Sequence, residues 1–229
     1  MSKVTLSQTT LDVLKNFSTI NSSIVFRQGS TVRTISNAEN ILAKYTGEEI
    51  FPTDFAIYDL SQFLMGISLF NDPQLEFTSK DFVNIKGGRQ SAKYYFSDPE
   101  ITLKSAPEKN VKFPGSDIQF SLTGVELINI QKASAIYSLP DLTFYSEEGS
   151  NTIRLILRDK ENDTSNTYDL SVEGTVTGTF SLDLKIENIR VLNSMSSPQD
   201  YNIKVSQHLI SEWTSQDTDL KYYIALEPA

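Results

Sequence analysis

One pattern of helix and strand segments occurs twice along this chain, and it restricts the possible folds more than any other feature. Each half contains an amphipathic helix, several short strands, a second helix and three further strands. The first helices begin near Thr9 and Thr123, and the second ones begin near Asp59 and Asp183. Few residues are identical between the halves, so the repeat is one of pattern. It predicts two similar α+β domains.

The first half opens with the helix Thr9–Asn21, in which Leu14 and Phe17 fall on one face at helical spacing. A second helix is predicted at Asp59–Phe70, with Asp59 as its cap, and its nearly continuous apolar sequence predicts that it is well buried. The strands are recognised by short β-branched and aromatic runs with turn residues between them. They are predicted at Ser23–Arg27, Thr31–Ile35, Asn40–Tyr45, Phe55–Tyr58, Gln74–Thr78, Phe82–Lys86 and Gln90–Phe96.

The second half has the clearest local helix signal. Thr123 and Glu126 have the spacing of a capping box, in which each side chain satisfies a backbone N–H at the helix start. This helix is expected to end near Ala135, and Leu184–Leu192 is predicted as the fourth helix. Strands are predicted at Leu142–Glu147, Ile153–Arg158, Thr167–Glu173, Tyr201–Val205, His208–Trp213 and Leu220–Leu226.

Residues 97–117 contain three prolines and mixed charge, and they are interpreted as a linker with a strand or two inside it. The domain boundary is accordingly predicted between 1–109, which includes the start of the linker, and 110–229. Either domain is large enough to have its own hydrophobic core.

Composition excludes some sites and disfavours others. The chain has no cysteine, so a disulfide, a thiolate metal site and a cysteine nucleophile are all excluded. No run reaches the roughly 20 apolar residues of a membrane helix, and the start lacks the apolar core of a signal peptide. These features predict a soluble, intracellular protein. The net charge of −9 argues against a nucleic-acid partner, which calls for a basic surface.

The charge is unevenly distributed, however. Residues 1–110 carry 11 Lys and Arg against 12 Asp and Glu, whereas residues 111–229 carry 9 against 17. Screening confines each charged patch to a Debye length of about 8–10 Å, so an acidic protein can still present a local basic surface.

Four stretches resemble a known family, the sliding clamps of T-even bacteriophages, which are DNA polymerase accessory proteins. LDVLKNFSTINSSI at 11–24 resembles the N-terminal helix of these clamps, and FAIYDLSQFLMGISLFND at 55–72 resembles their second helix region. LINIQKA at 127–133 is similar to the third helix, though more loosely. The end of the chain, LKYYIALEP at 220–228, is similar to the last strand of clamps of the proliferating cell nuclear antigen type.

The resemblance implies the α+β DNA-clamp fold, with two helices packed on two antiparallel sheets in each domain. Three subunits would join head to tail into a closed ring, with the helices lining the hole and the sheets outside. Such a ring encircles duplex DNA without sequence preference and tethers the replicative DNA polymerase. A clamp-loader ATPase would open it, late-transcription factors are a further partner class, and the setting would be the cytoplasm of an infected bacterium.

The resemblance also implies two sets of site residues. Five cations on or beside the helices are expected to face DNA, with Lys3 reaching in from a flexible start: Lys3, Lys15, Lys132, Lys185 and Arg190. Residues of the linker and the last strand are expected to form a pocket for partner peptides: Phe113, Pro114, Tyr223, Ala225 and Leu226.

Each assignment has a simpler alternative. Lys15 could only pair with Asp12 on its own helix, and the peptide-pocket residues could be ordinary core and linker packing. The second helix has no Lys or Arg, and Asn129 stands where the phage family has a second basic residue. We therefore expect weak intrinsic DNA affinity with a shallow salt dependence, unless the loop lysines Lys80 and Lys86 compensate.

An enzyme is not expected, and neither a cofactor nor a metal site is predicted. His208 is the only histidine and alternates with apolar residues, which indicates a structural role in a strand. Asp159, Glu161 and Asp163 alternate like a calcium loop, but Thr164 stands where that loop needs glycine. The alternative function is a β-rich structural phage protein of a tail or baseplate, which would explain the strands and the acidity without the helix repeat.

Overall fold

The computed structural model describes residues 2–98, 104–193 and 195–229, without the side chain of Asn193. The chain divides into two compact units, Met1–Lys109 and Asn110–Ala229. Both units combine antiparallel sheets with helices that pack against them.

The described residues of unit 1, 2–98 and 104–109, form two four-stranded sheets and two helices. One sheet has the strand order β1-β6-β7-β8, and the other has the order β4-β3-β2-β5. Helix α1 packs on β3 and β4, and helix α2 contacts α1. In chain order the elements are β1 Ser2–Val4, α1 Gln8–Ile20, β2 Ile24–Phe26, β3 Gly29–Ile35, β4 Ile41–Phe51, β5 Phe55–Ile57, α2 Leu60–Ser68, β6 Gln74–Phe77, β7 Phe82–Gly87 and β8 Gln90–Tyr95.

An aromatic cluster fills the core of unit 1. The rings of Phe26 and Phe55 stack with their centroids 4.5 Å apart, and Phe51 and Phe77 contact the same pair at tilted or edge geometries. All four are buried, and such pairs stabilise a core beyond their buried area. The alternating apolar residues of the strands place these rings on one side of the backbone.

Unit 2 contains one sheet whose strands follow the order β17-β13-β10-β11-β12-β9-β14-β15-β16. Its long helix, α3, contacts β11 and the 3₁₀ turn Arg190–Asn193. In chain order the elements are β9 Ile118–Leu122, α3 Gly124–Tyr137, β10 Asp141–Ser146, β11 Thr152–Arg158, β12 Tyr168–Val176, β13 Phe180–Lys185, α4 Ile186–Ile189, β14 Tyr201–Ser206, β15 Ile210–Ser215, β16 Leu220–Ala225 and β17 Glu227–Pro228.

The largest buried side chains of unit 2 have polar ends that find partners. Trp213 is fully buried, and its Nε1 donates to Ser211 Oγ at 3.0 Å. Tyr201 donates its hydroxyl to the backbone oxygen of Leu192 at 3.1 Å. Burial raises the pKa of Tyr201 well above its ordinary value. These hydrogen bonds let large amphipathic side chains occupy the core without an unsatisfied polar atom.

In unit 1 the predicted elements agree with the structure, except that β1 was not predicted and β4 continues past the predicted end at Tyr45 to Phe51. The agreement is poorer in unit 2. Strands β9 and β13 were not predicted, because β9 lies between the supposed linker and the α3 cap and β13 precedes the supposed fourth helix. The prediction of the fourth helix at Leu184–Leu192 was correct only from Ile186 onwards, and its second part is a 3₁₀ turn. Leu184 and Lys185 end β13, and only Ile186–Ile189 is α-helical before the 3₁₀ turn. Leu184 alternates with Leu182 in β13, and both are buried.

The predicted linker, residues 97–117, can be compared with the structure only in part. Residues 97–98 and 104–117 contain no strand in the described part of the chain, so the strand expected there is not found in those ranges. Residues 99–103 lie outside the described residues. Lys104 fixes part of this segment to unit 1 through an ion pair with Glu39 at 2.8 Å.

Candidate nucleic-acid interface

Helix α1 is held at its N-terminus by groups that are distant in sequence. Ser7 is the cap and accepts a hydrogen bond from the backbone N–H of Thr10 at 3.2 Å. Glu49 of β4 accepts from the backbone N–H of Ser7 at 2.5 Å and from the Thr10 hydroxyl at 2.6 Å. A carboxylate at this end also interacts favourably with the helix dipole. Glu49 therefore fixes the start of the helix that carries Lys15.

Two opposing effects act on Glu49. Partial burial raises its pKa, but the hydrogen bonds from Thr10 and Ser7 outweigh burial, so the pKa lies below the ordinary value. The charged form is therefore the one that the folded protein prefers.

Lys15 lies on the solvent face of α1, as predicted. Its side chain is 59% exposed, and its Nζ is 3.6 Å from Asp12 Oδ1. Asp12 is buried and also accepts a hydrogen bond from the Gln8 side chain. The simpler reading of Lys15 as an i,i+3 ion pair is thus correct in geometry, while its exposure leaves the ammonium accessible to a phosphate.

Helix α3 presents Lys132 on an exposed stripe. The predicted capping box is present: Glu126 accepts from the backbone N–H of Thr123 at 2.8 Å, and Thr123 accepts from the backbone N–H of Glu126 at 3.3 Å. Lys132 is exposed and has no ion pair among the described residues. The stripe also contains Val125, Asn129 and Ile136, all exposed.

Helix α2 adds no cation to this surface, and the expectation that it is buried all round was wrong. Asp59 caps it as predicted, accepting from the backbone N–H of Gln62 at 2.8 Å. Phe63 is fully buried, but Met65 is 63% exposed and Leu69 is 75% exposed. The sequence could not separate these faces because apolar residues occur on both.

Lys185 and Arg190 do not lie on one helix. Lys185 ends strand β13, and its Nζ is 2.7 Å from the Oδ1 of buried Asp141. That hydrogen bond raises the pKa of Lys185 above its ordinary value. Arg190 begins the 3₁₀ turn and is exposed. Both residues line a cleft of about 660 Å³ beside the C-terminal end of α3, but Lys185 is committed to a structural ion pair.

Lys3 does not extend from a flexible start. It belongs to β1, which pairs with β6, and its Nζ is 2.9 Å from Glu76 Oε1. Lys3 and Glu76 lie on the face of the sheet opposite to Tyr94, whose ring contacts Phe63 of α2. Lys3 therefore lies on a different surface of unit 1 from the helices.

The predicted pocket residues lie on two segments of unit 2. Phe113 is partly exposed and Pro114 exposed in the irregular segment before β9. On β16, Tyr223 and Ala225 point away from the buried residues Tyr222 and Ile224. Burial together with the neighbouring charge of Glu212 raises the pKa of Tyr223 to about 12.

Leu226 follows β16 and is buried. Its backbone N–H donates to the Leu209 oxygen at 2.9 Å, which ties the chain end to the β14–β15 turn. The packing interpretation therefore applies to Leu226, whereas Tyr223 is partly exposed and Ala225 is exposed.

Other predicted features can be placed as well. His208, expected in a strand, is exposed in the turn between β14 and β15. The acidic segment at Asp159, Glu161 and Asp163 forms a turn between β11 and β12 and is largely exposed. Among residues 2–98, 104–193 and 195–229, no group of three or more His, Asp or Glu side chains could hold a metal ion. Within the same ranges, no helix is long and apolar enough to cross a membrane.

Sequence comparisons find similarity to known proteins over nearly the whole chain. A family model described as DNA polymerase processivity factor matches residues 5–99. The sliding clamp of Vibrio phage KVP40 is 32% identical over 226 residues, which cover 97% of this chain and 98% of that protein. The sliding clamp of Enterobacteria phage T4 is 29% identical over 65% of this chain and 64% of its own length.

Structural comparisons agree with the sequence. Proliferating cell nuclear antigen from A. fulgidus, in complex with the C-terminal region of FEN-1, has a TM-score of 0.75 at 12% identity and covers 100% of this chain and 99% of its own. The Thermococcus kodakaraensis counterpart gives 0.74 at 12% identity, covering 98% of this chain and 99% of its own. These matches show the DNA-clamp fold, and nothing supports a tail or baseplate module. With a phage relative above 30% identity along nearly its entire length, the chain belongs to the sliding-clamp family.

Proposed function

We propose that this protein is a processivity factor that encircles duplex DNA as a head-to-tail trimeric ring and tethers the replicative DNA polymerase. The observation that carries the proposal is that the similarity to a phage sliding clamp extends through both units, each of which has an exposed helix face. The protein would act without catalysing a reaction, in the cytoplasm of an infected bacterium. A clamp-loader ATPase would open the ring, and late-transcription factors are a further partner class.

A free strand edge supports assembly into a ring. Over Tyr168–Glu173, strand β12 pairs with β11 on one side, and its other side pairs with β9 only at Gly174–Val176. Among the described residues, that second edge of Tyr168–Glu173 therefore has no strand partner. An unpaired edge accepts a strand from another chain readily. A second copy seated here would repeat around a ring if the rotation closes.

Native mass tests the assembly directly. A trimer of 25.7 kDa chains should sediment at about 77 kDa, with dissociation only on dilution. Ring-shaped projections by electron microscopy should accompany that mass. A monomer at all accessible concentrations would refute the ring.

Lys15 and Lys132 are the residues that we propose to face DNA, with exposed Arg190 as a weaker third. Lys3 and Lys185 are left out because each is bound to a buried carboxylate, Glu76 and Asp141 respectively. Few lining cations imply that retention on DNA depends on ring closure. The protein should persist on closed circular duplex after loading and leave when the circle is linearised.

Charge reversal tests the DNA-facing assignment. Lys15→Glu combined with Lys132→Glu should lower loading and polymerase processivity by about tenfold at low salt, because two phosphate contacts per subunit become repulsive. Lys109→Glu combined with Lys112→Glu changes the net charge equally on the exposed segment before β9 and is the matched control. Equal losses in both variants would contradict the assignment.

The surface at Phe113, Pro114, Tyr223 and Ala225 is proposed to receive partner peptides, with Leu226 as buried support. Peptide anchors of this kind are apolar or aromatic groups that enter a desolvated site. Tyr223→Ala should weaken polymerase binding more than it weakens trimer formation. The opposite ranking would place Tyr223 among the residues that maintain the fold.

A further inference from the structure

The sheet β1-β6-β7-β8 of unit 1 has one face that does not meet α2 and that carries several cationic side chains. Direct cross-strand partners lie on the same face of a sheet, so the pairing places Lys3, Glu76, Asn84 and Lys93 in one row across β1, β6, β7 and β8. The opposite side carries Val83 and Tyr94 and meets α2 through Phe63. We use the term open face for the side with Lys3 and Lys93.

The open face is basic on an acidic chain. Lys86 is on this face, in strand β7, and Arg89 is exposed in the two-residue turn that follows. Glu76 is its only carboxylate among the described residues of the four strands, and it is buried between Lys3 at 2.9 Å and Lys86 at 2.5 Å. Hydrogen bonds from Lys86 and Lys3 lower the pKa of Glu76. Lys93 and Arg89 have no ion pair within the described residues.

Two aromatic rings lie at one end of the same face. Phe82 and Tyr95 are direct partners across β7 and β8, and their rings meet edge to face with centroids 5.6 Å apart. Lys93 Nζ is 4.1 Å from the centroid of Phe82 and 5.9 Å from that of Tyr95. Tyr95 is 66% exposed, so most of this large ring faces solvent. The ring of Tyr95 is therefore available for stacking.

The register arranges these groups along the β7–β8 hairpin. Tyr95, Lys93, the Lys86–Ser91 pair and Arg89 follow one another towards the turn. Same-face residues along a strand are about 7 Å apart, so the series of an aromatic ring and three cations extends for roughly 20 Å. The residues between them on the open face, Asn84 and Ser91, are uncharged.

We propose that the open face binds single-stranded DNA, with Tyr95 stacking on a base and Lys93, Lys86 and Arg89 contacting successive phosphates. A cationic track beside an exposed aromatic ring is the general means of holding an unpaired strand without sequence preference. An acidic protein segment fits less well, because peptide docking relies on apolar anchors in a pocket. The described open face offers rings at one end only.

This site is separate from the duplex-facing helices of the proposed function. It lies on the other side of the sheet from α2, and its residues are not among those assigned to duplex DNA or to partner peptides. The site would hold an unpaired strand outside the ring. Binding to it requires neither a loader nor a closed circle.

Fluorescence anisotropy with a labelled oligothymidylate of about 20 nucleotides tests the proposal on the full-length protein. Arg89→Glu combined with Lys93→Glu should weaken binding at least about tenfold and reduce the slope of log K against log salt by about 1.4, since each phosphate contact contributes about 0.7. Tyr95→Ala should weaken binding about five- to tenfold, whereas Tyr95→Phe, which keeps the ring, should bind like the parent protein.

The charge-matched control is again Lys109→Glu combined with Lys112→Glu, which should bind the oligonucleotide as the parent protein does. The proposal is overturned by a parent protein that does not bind, or by a control that loses as much affinity as the open-face variant. It is also overturned if polyglutamate displaces the oligonucleotide while Tyr95→Ala has no effect, since that pattern indicates an acidic protein segment.

A measurement on the unmodified chain covers the case in which a variant does not fold. An oligonucleotide that carries iodouracil should photo-crosslink to Tyr95, as located by mass spectrometry of the digested protein. Crosslinks confined to α1 and α3 would overturn the proposal. Failure of this site leaves loading on circular duplex unaffected, so the two proposals fail independently.

Discussion

The two units start their first helices by different means. In unit 2, the cap of α3 is local, because Thr123 and Glu126 are three residues apart and satisfy each other's backbone N–H groups. In unit 1, α1 relies on Glu49, which comes from β4 and reaches Ser7 and Thr10 across about 40 residues of chain. The comparison shows that a helix start can be stabilised by a local side-chain cap alone, as in α3, or by a local cap together with a carboxylate from a distant strand, as in α1.

The second helices differ even more. Helix α2 spans Leu60–Ser68 with a side-chain cap, whereas α4 spans only Ile186–Ile189 and has no side-chain cap bond. In unit 2 the short α4 is preceded by Lys185, whose Nζ pairs with Asp141, and is followed directly by the 3₁₀ turn Arg190–Asn193.

Buried charge is distributed unequally as well. Unit 2 buries Asp141, Asp183 and Glu212 against cations of neighbouring strands, whereas the sheet β1-β6-β7-β8 of unit 1 buries Glu76 alone. A buried carboxylate is costly to leave unpaired. The excess acidity of residues 111–229 is therefore partly internal, and it does not all act on solvent or DNA.

The largest effect should come from breaking the charge network of unit 2. Asp183 is fully buried, accepts from the Thr143 hydroxyl at 2.6 Å and pairs with Arg158 at 3.2 Å. Asp183→Ala should lower the free energy of unfolding by about 3–5 kcal/mol, because it leaves Arg158 without its buried partner. Urea denaturation followed by circular dichroism measures the change.

Asp183→Asn and Glu76→Gln form the matched control for that prediction. Both keep side-chain size and remove one charge, but the lysines around Glu76 are about half exposed and can turn to water. Asp183→Asn should therefore destabilise the protein more than Glu76→Gln. Equal effects would mean that the buried networks of the two units are equivalent.

The second-largest effect compares the stability loss when the long-range cap of α1 is removed with the loss when the local cap of α3 is removed. Glu49→Ala removes the acceptor for the Ser7 N–H and for the buried Thr10 hydroxyl, so we expect a loss of about 2–3 kcal/mol. Glu126→Ala removes only one side of a surface capping box and should cost about 1 kcal/mol or less. A larger loss from Glu126→Ala in thermal denaturation would reverse the comparison.

Acid should selectively remove the Glu49 contribution. Because its pKa is lower in the folded protein than in the unfolded chain, its stabilising effect is complete above the unfolded value of about 4.3 and is lost as pH falls through the folded value. The stability difference between the parent and Glu49→Gln should therefore be constant between about pH 6 and pH 7, where Glu49 is ionised in both states. It should shrink below about pH 4. A constant difference down to acid pH would exclude the carboxylate as the cause.

The same distinction between local and long-range interactions decides what sequence could predict. The α3 capping box, the Asp59 cap and the exposed positions of Lys15 and Lys132 depend on neighbours three or four residues away, and all were predicted. The ion pairs of Lys3 with Glu76 and of Lys185 with Asp141 connect different strands. Only the strand register brings such partners together, so both lysines were expected to face DNA.

Strands β9 and β13 were missed for a related reason. Ile118–Leu122 has the alternation of a strand, but it is short and adjoins the strong helix signal of Thr123. In β13, Phe180, Leu182 and Leu184 alternate with polar residues, but Asp183 was interpreted as the start of the fourth helix, and its partners Arg158 and Thr143 are far away in sequence. A charged residue in the middle of a strand is unfavourable until its neighbours supply the compensation.

The smallest effect concerns helix propensity, which should matter only where a helix has an interior. Gly66 lies within α2, and an added Cβ would meet no heavy atom within 4 Å. Gly66→Ala should therefore raise the free energy of unfolding by about 0.5–1 kcal/mol through the lower backbone entropy of the unfolded chain. Glu187→Ala in α4 also increases propensity, but α4 is a single turn, so its effect should stay within about 0.5 kcal/mol. Gly88→Ala is the control, because open space surrounds Gly88 but its φ of +57° lies in the left-handed region. If Gly66→Ala stabilises no more than Glu187→Ala does, α2 owes its helical form to packing alone, and the two second helices differ less than their lengths indicate.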